Sequence, residues 1–141
     1  MSIYADTSFF VSVYLPDRYS AEAERRLALK PQVWLTPLNV AEWTHAISQH
    51  VFRKEISQRE AGQAQAELER DRANGVWLEV DLPESVWQSC AMLARKHGPK
   101  LGMRTLDSLH VASALELGSK AFWTFDERQA KLAVAEGLRV S

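Results

Sequence analysis

Ser2-Ile3-Tyr4-Ala5-Asp6-Thr7-Ser8-Phe9-Phe10 is the stretch that decides the fold class. Its apolar start, Ser2 to Ala5, stops abruptly at Asp6 and reads as a strand. Thr7 to Leu15 then sets Phe9, Phe10, Val13 and Tyr14 at helical spacing. A strand that hands over to a helix within one residue opens an α/β chain, and the same alternation continues outward. Ser20 to Lys30 predicts a second helix and Val33 to Leu35 a second strand. Thr36-Pro37 is a helix start, with Thr as cap and Pro at the first helical position. That helix runs to about Lys54, with Leu38, Ala41, Ile47 and Val51 as its inner face.

Ser57 and Glu60 form a capping box that opens a strongly polar helix to about Arg72. Val76 to Val80 reads as a third strand. Pro83 to His97 predicts a helix carrying Val86, Trp87, Cys90 and Leu93, and Arg95 to Arg104 a basic loop. Thr105 to Leu117 is a nearly all-apolar helix closed by Gly118, expected to be central and buried. Ala121 to Thr124 is a fourth strand, Asp126 to Glu136 a helix closed by Gly137, and Arg139-Val140 a short fifth strand. Alternation of this kind predicts a parallel sheet of four to five strands with helices on both faces, in one domain over residues 1–141. Ligands of such sheets sit at the carboxyl ends of the strands, where the strand order reverses.

Composition narrows the function classes. The chain has 141 residues, 46% hydrophobic and 25% charged, which excludes disordered, collagen-like and disulfide-scaffold proteins. With 17 Lys plus Arg against 18 Asp plus Glu, the net charge is −1, so any nucleic-acid contact must rest on a local patch. The single cysteine, Cys90, cannot form an internal disulfide and suits a reducing cytoplasm. No apolar run approaches the ~18 residues of a membrane span, and the N-terminus lacks a secretory pattern.

Four acids stand in unexpected places. Asp6 and Asp126 each follow a strand, where a carboxylate can cap the next helix or face a ligand. Asp107, in Leu106-Asp107-Ser108-Leu109-His110, has Val111 and Ala114 as helical neighbours, so it lies on an apolar face. A position near a helix N-terminus stabilises it by only about 0.3–1 kcal/mol, while burying an unpaired carboxylate costs several kcal/mol. Glu42, mid-helix beside Leu38 and Ala46, poses the same problem, with an unseen Arg or Lys as the alternative partner. Four such charges within ~5 Å would repel by several kcal/mol per pair even at an effective dielectric of ~20. A hard divalent cation with oxygen ligands, Mg2+ or Mn2+, resolves that repulsion.

Ser8 and Thr124 add hydroxyls beside two of these acids, as supporting donors, substrate contacts or plain turn hydroxyls. The basic run Arg95 to Arg104, including Lys100 and Arg104, leads straight into the Asp107 helix and could hold a phosphate backbone or remain a solvated loop. His110 reads as a packed histidine hydrogen-bonded within the core, and His45 has no assigned role. The tryptophans read mostly as core, with Trp43, next to Glu42, the candidate for base stacking.

The ordered set Asp6-Thr7-Ser8, Glu42, Asp107-Ser108-Leu109-His110-Val111-Ala112-Ser113-Ala114 and Thr124-Phe125-Asp126 resembles a PIN domain, most nearly the VapC-type ribonuclease toxins. The resemblance runs from near residue 3 to residue 140. It implies strand order 3-2-1-4-5, with Asp6, Glu42, Asp107 and Asp126 surrounding Mg2+ or Mn2+. The hydroxyl that accompanies the acids in the family maps onto Ser8 or Thr124. It further implies metal-dependent RNA cleavage, a homodimer and neutralisation by a small VapB-like antitoxin. Two rival readings fit the residues less well. A phosphoacceptor or phosphatase domain wants a second acid after strand one or a Lys after the last strand, where this chain has Thr7, Ser8 and Asp126. A catalytically silent binding module of the same fold would need no intact acid set.

Overall fold

The strand Ser2–Ala5 (β1) lies at the centre of the sheet because its side chains are buried on both faces. The computed structural model describes residues 2–141. After β1 come helices Thr7–Tyr14 (α1) and Ser20–Leu27 (α2), strand Gln32–Leu35 (β2), helices Pro37–Phe52 (α3) and Gln58–Ala73 (α4), and strand Leu78–Glu79 (β3). Helices Val86–Leu101 (α5) and Thr105–Glu116 (α6), strand Ala121–Trp123 (β4), helix Glu127–Ala135 (α7) and strand Arg139–Val140 (β5) complete the order. The strands pair in the order β3-β2-β1-β4-β5, and every pairing is parallel. The chain builds outward from β1 to β3 and then returns to the other side of β1. The crevice that this reversal leaves therefore opens above β1 and β4, at their carboxyl ends.

Alternate strand residues feed two cores. Ile3, Ala5, Val33, Leu35 and Trp123 face one side, packed against Phe9, Phe10, Trp43, Ile47, Leu68 and Trp77. Tyr4 and Phe122 face the other, packed against Val86, Leu93, Leu109, Val111 and Leu132. Thus α1, α3 and α4 cover one face and α5, α6 and α7 the other. Residues Asp107 to Ala114 of α6 are all buried, as the apolar run predicts. The caps at Thr36 and Ser57 form as expected, and Gly118 and Gly137 close their helices at φ of 75° and 83°, the left-handed region open to glycine.

The structure departs from the sequence reading in particular places. The basic stretch is not a loop: α5 continues through Pro99 to Leu101. Proline removes one N–H and crowds the carbonyl four residues back, but here it falls in the last turn. His97 Nε2 is anchored to Glu136 at 2.7 Å, and Gly102, left-handed at φ 62°, closes the helix with its N–H on Gly98 at 2.9 Å. Helix α5 also starts at Val86 rather than Pro83, and Trp87 points outward at 61% exposure. The buried face of α3 centres on Asn39, Trp43 and Ile47, so Ala41 is exposed. The third strand shrinks to Leu78–Glu79 at the sheet edge.

Asn39 joins α3 to the end of β1. Its amide nitrogen donates to the Ala5 carbonyl at 3.2 Å, and its amide oxygen accepts from the Thr36 N–H at 3.0 Å and hydroxyl at 2.9 Å. Being fully buried, it cannot exchange these partners for water. Asn39→Ala is expected to lower unfolding stability by about 2–3 kcal/mol, because it strands buried polar groups. In urea the midpoint should fall with an unchanged slope; an unchanged midpoint would remove Asn39 as the tie between α3 and the sheet.

Candidate active site

β1 ends at Asp6, whose N–H extends the ladder to the Trp123 carbonyl at 2.9 Å. The Asp6 carboxylate is 1% exposed and caps α1. Oδ1 accepts from the Ser8 hydroxyl at 2.5 Å and the Phe9 N–H at 3.4 Å, and Oδ2 from the Thr124 hydroxyl at 2.7 Å. Burial pushes its pKa up, and the nearby His110, the two hydroxyls and the Phe9 N–H offset that only in part. No Lys or Arg forms an ion pair with Asp6 among the described residues. Asp6 is therefore the cap that its place after β1 suggests, and it is also a buried carboxylate with no Lys or Arg paired to it among the described residues.

Asp126 caps α7, with Oδ1 accepting from the N–H groups of Arg128 at 2.9 Å and Gln129 at 3.1 Å. Its own N–H donates to the Thr124 hydroxyl oxygen at 2.9 Å, so one hydroxyl links Asp6 to Asp126. Asp107, also 1% exposed, accepts at Oδ2 from the Arg104 N–H at 2.9 Å, with the Arg104 Nε 3.6 Å away. At Oδ1 it accepts from the Gln129 side-chain amide at 3.3 Å. The other amide atom, Gln129 Oε1, is buried without a partner. A buried orphan acceptor beside two carboxylates is what a cation or its bound water would satisfy.

Glu42 behaves differently. Its Oε1 accepts from the Thr7 hydroxyl at 2.8 Å and from His110 Nε2, which must be the donor because a carboxylate only accepts. His110 is buried, with Nδ1 on the Tyr4 hydroxyl at 2.7 Å. Burial alone would raise the Glu42 pKa, but the His110 bond and charge and the Thr7 hydroxyl outweigh it and hold the pKa low. The partner of Glu42 is thus a histidine, not the Arg or Lys that its position suggested. His110 is the packed, hydrogen-bonded residue that the sequence indicated.

The four acids are linked but not gathered into one cage. Asp6, Asp126 and Asp107 follow one another through Thr124 and Gln129, while Glu42 reaches the same corner through Thr7, which directly follows Asp6. Among the described residues, no group of three His, Cys, Asp or Glu side chains forms a ready-made metal site. The donor set is nonetheless all oxygen, which suits Mg2+ or Mn2+ better than a softer metal. Lys100 lies exposed in the last turn of α5, and Arg104 stays exposed beside Asp107. Trp43 is 1% exposed with its ring against Tyr14 at 5.8 Å, so it offers no face to a base, and His45 is exposed. Sequence reasoning missed the Gln129 side chain as a partner of Asp107, because its place three residues after Asp126 reads as a helix-cap residue.

Comparison with known proteins matches residues 3–135 to the family model described as PIN domain. No curated protein matches the sequence. Among solved structures, VapBC2 from Rickettsia felis bound to a DNA fragment from its promoter superposes with a TM-score of 0.68 at 19% identity, covering 100% of this chain and 98% of that one. VapC20 of Mycobacterium tuberculosis, a sarcin–ricin loop cleaving toxin, gives 0.69 at 20% identity over 92% and 93%. FitAcB from Neisseria gonorrhoeae gives 0.66 at 16% over 98% and 95%. At these identities the similarity is one of fold.

An uncompensated buried carboxylate destabilises the chain unless a cation joins it. In EDTA, Asp6→Asn should therefore melt no lower than the wild type. Adding millimolar Mg2+ or Mn2+ should raise the wild-type Tm but leave Asp6→Asn unmoved, since only a folded state that binds the ion gains from it. A wild-type Tm that millimolar Mg2+ and Mn2+ leave unmoved would make Asp6 a structural cap alone.

Proposed function

The chain belongs to the PIN domain family, and from that membership we propose that it is a metal-dependent endoribonuclease, the toxin partner in a VapBC-like toxin–antitoxin pair. The observation that carries this reading is the buried Asp6 carboxylate, bonded only by hydroxyl and amide donors and joined through Thr124 and Gln129 to Asp126 and Asp107. Asp6, Asp107 and Asp126 would hold Mg2+ or Mn2+, and Glu42 would stand at the edge of that set. When bound, such a cation polarises a phosphate and lowers the pKa of a water that attacks it.

The chain's own groups position the acids. Ser8 and Thr124 orient Asp6; Arg104 and Gln129 fix the two oxygens of Asp107; the first turn of α7 fixes Asp126. Thr7 and His110 hold Glu42. Arg104, exposed beside Asp107, and Lys100 are placed to meet the phosphates of an RNA strand, which position a substrate without reading its sequence. The similarity to VapC20, described as a toxin that cleaves the sarcin–ricin loop, supports RNA as the substrate class. The VapBC2 complex supports a small antitoxin as partner, with a homodimer and a cytoplasmic setting as parts of the same reading. Among the described residues no helix is long and apolar enough to cross a membrane.

Asp107→Asn and Asp126→Asn should each reduce Mg2+-dependent cleavage of single-stranded RNA by ~100-fold or more. Losing groups that merely orient metal ligands already costs 10–100-fold. EDTA should abolish cleavage and Mn2+ restore it. Wild-type rates in both variants would end the nuclease assignment. Calorimetry showing no divalent binding at millimolar Mg2+ would leave a silent binding module of the same fold.

A further inference from the structure

Tyr19, at the entrance to α2, belongs to none of the contacts described so far, yet it stands beside them. Its ring stacks on Phe125 with centroids 4.4 Å apart and planes 3° from parallel. Phe125 lies between Thr124 and Asp126, and its N–H donates to the Ser8 hydroxyl oxygen at 3.4 Å. Beneath Phe125 sits the guanidinium of Arg26, 5.1 Å from that ring and 5.4 Å from Trp123. Arg26 is held by Glu22 through Nε at 3.0 Å, and its Nη1 is buried without a partner. Over Tyr19 lies a second guanidinium, Arg18, 4.7 Å from the ring centroid. The four side chains form a column of cation, ring, ring and cation.

The two ends of the column differ. Arg26 is enclosed and salt-bridged, so Phe125 has a fixed backing. Arg18 is exposed and, among the described residues, hydrogen-bonds to its own neighbour, the Tyr19 hydroxyl, so water can replace what it would lose by leaving. Tyr19 also borders an open cleft of about 390 Å³ whose walls include Thr7, Ser8, Val11, Glu42 and Ala46. Tyr19 is the aromatic wall of that cleft, and Ser8 is shared between the cleft and Asp6.

We propose that the Tyr19–Phe125 pair is the stacking subsite for one unpaired nucleobase of the RNA substrate, next to the phosphate that would meet a cation held by Asp6, Asp107 and Asp126. The arriving base takes the place of the Arg18 guanidinium on the ring, and Arg18 turns to a neighbouring phosphate. A base suits this cleft because every base has a flat π-face that stacks on an aromatic ring whatever its sequence. The displaced cation meets negative charge on the same strand, which an uncharged peptide segment would not supply. This inference rests on the ribonuclease reading and adds a substrate contact to it.

The test uses the purified full chain, a single-stranded oligoribonucleotide, and the variants Tyr19→Phe, Tyr19→Leu and Arg18→Gln. In Mg2+, Tyr19→Leu should raise KM roughly ten-fold, the size of one lost base–aromatic stack, with kcat within two-fold of wild type. Tyr19→Phe should match wild type. In EDTA, an oligoribonucleotide carrying 2-aminopurine should be quenched by wild type and Tyr19→Phe but not by Tyr19→Leu. Arg18→Gln should reduce the salt slope of RNA binding by about one, the mark of one lost phosphate contact; this holds as a test even if Tyr19→Leu does not fold.

An active enzyme whose Tyr19→Leu form keeps wild-type KM and quenching overturns the subsite while leaving the nuclease reading intact. So does a Tyr19→Leu form that loses kcat at unchanged KM, or one that keeps RNA affinity but loses a partner protein. An Arg18→Gln form with an unchanged salt slope counts against it too. A wild type that neither binds nor cuts RNA overturns both readings.

Discussion

The Asp6 carboxylate at the end of β1 is the constraint on which the rest of this corner depends. Moving an ionised carboxylate out of water costs several kcal/mol unless bonds or opposite charge replace its hydration. Here hydroxyl and amide donors supply bonds, but no Lys or Arg is paired with it among the described residues, and its pKa rises accordingly. The hydroxyls are themselves spoken for: Thr124 receives the Asp126 N–H, and Ser8 receives the Phe125 N–H. Relaxing Asp6 therefore disturbs the β4–α7 junction, not one side chain. A buried carboxylate with no Lys or Arg paired to it among the described residues is the feature on which the proposed cation site rests.

Strand order brings that arrangement about. β1 lies between β2 and β4, so the residues just past β1 and β4 are neighbours in space although they are far apart along the chain. Helix α6, buried along eight consecutive residues from Asp107 to Ala114, must lie directly on the sheet, which carries Asp107 to the same end. Helix α3 is tied to the end of β1 by Asn39, and Glu42 sits one turn further along the same helix. Each acid is thus placed by a separate element, and the elements meet because β1 is central.

How much of this was legible in the sequence follows from the range of each interaction. Periodicity and caps are local, so Thr36, Ser57, Gly118 and Gly137 marked their boundaries correctly. Asp107 stood out because a charge on an apolar face conflicts with its neighbours within two helical turns. Strand order has no local signature in the alternation; it came with the PIN resemblance. The bond between His110 and Glu42 joins residues 68 apart, and the Tyr19–Phe125 stack joins residues still more distant, so nothing nearby announced either. The basic stretch failed for the opposite reason. Gly98-Pro99 is a strong local stop, but the bond from His97 to Glu136 and the cap at Gly102 override it.

The acids that looked equivalent in the sequence are not equivalent in the structure. Glu42 has a histidine donor and a hydroxyl on one oxygen, and together they hold its pKa low despite its burial. Asp6 accepts from two hydroxyls and the Phe9 N–H with no Lys or Arg paired to it among the described residues, and Asp126 accepts from two N–H groups at the N-terminus of α7. Asp107 faces one exposed arginine at 3.6 Å, a contact that water screens. Glu42 and Tyr19 line the same cleft. The hydrogen bond from His110 therefore sets Glu42 apart from the three aspartates.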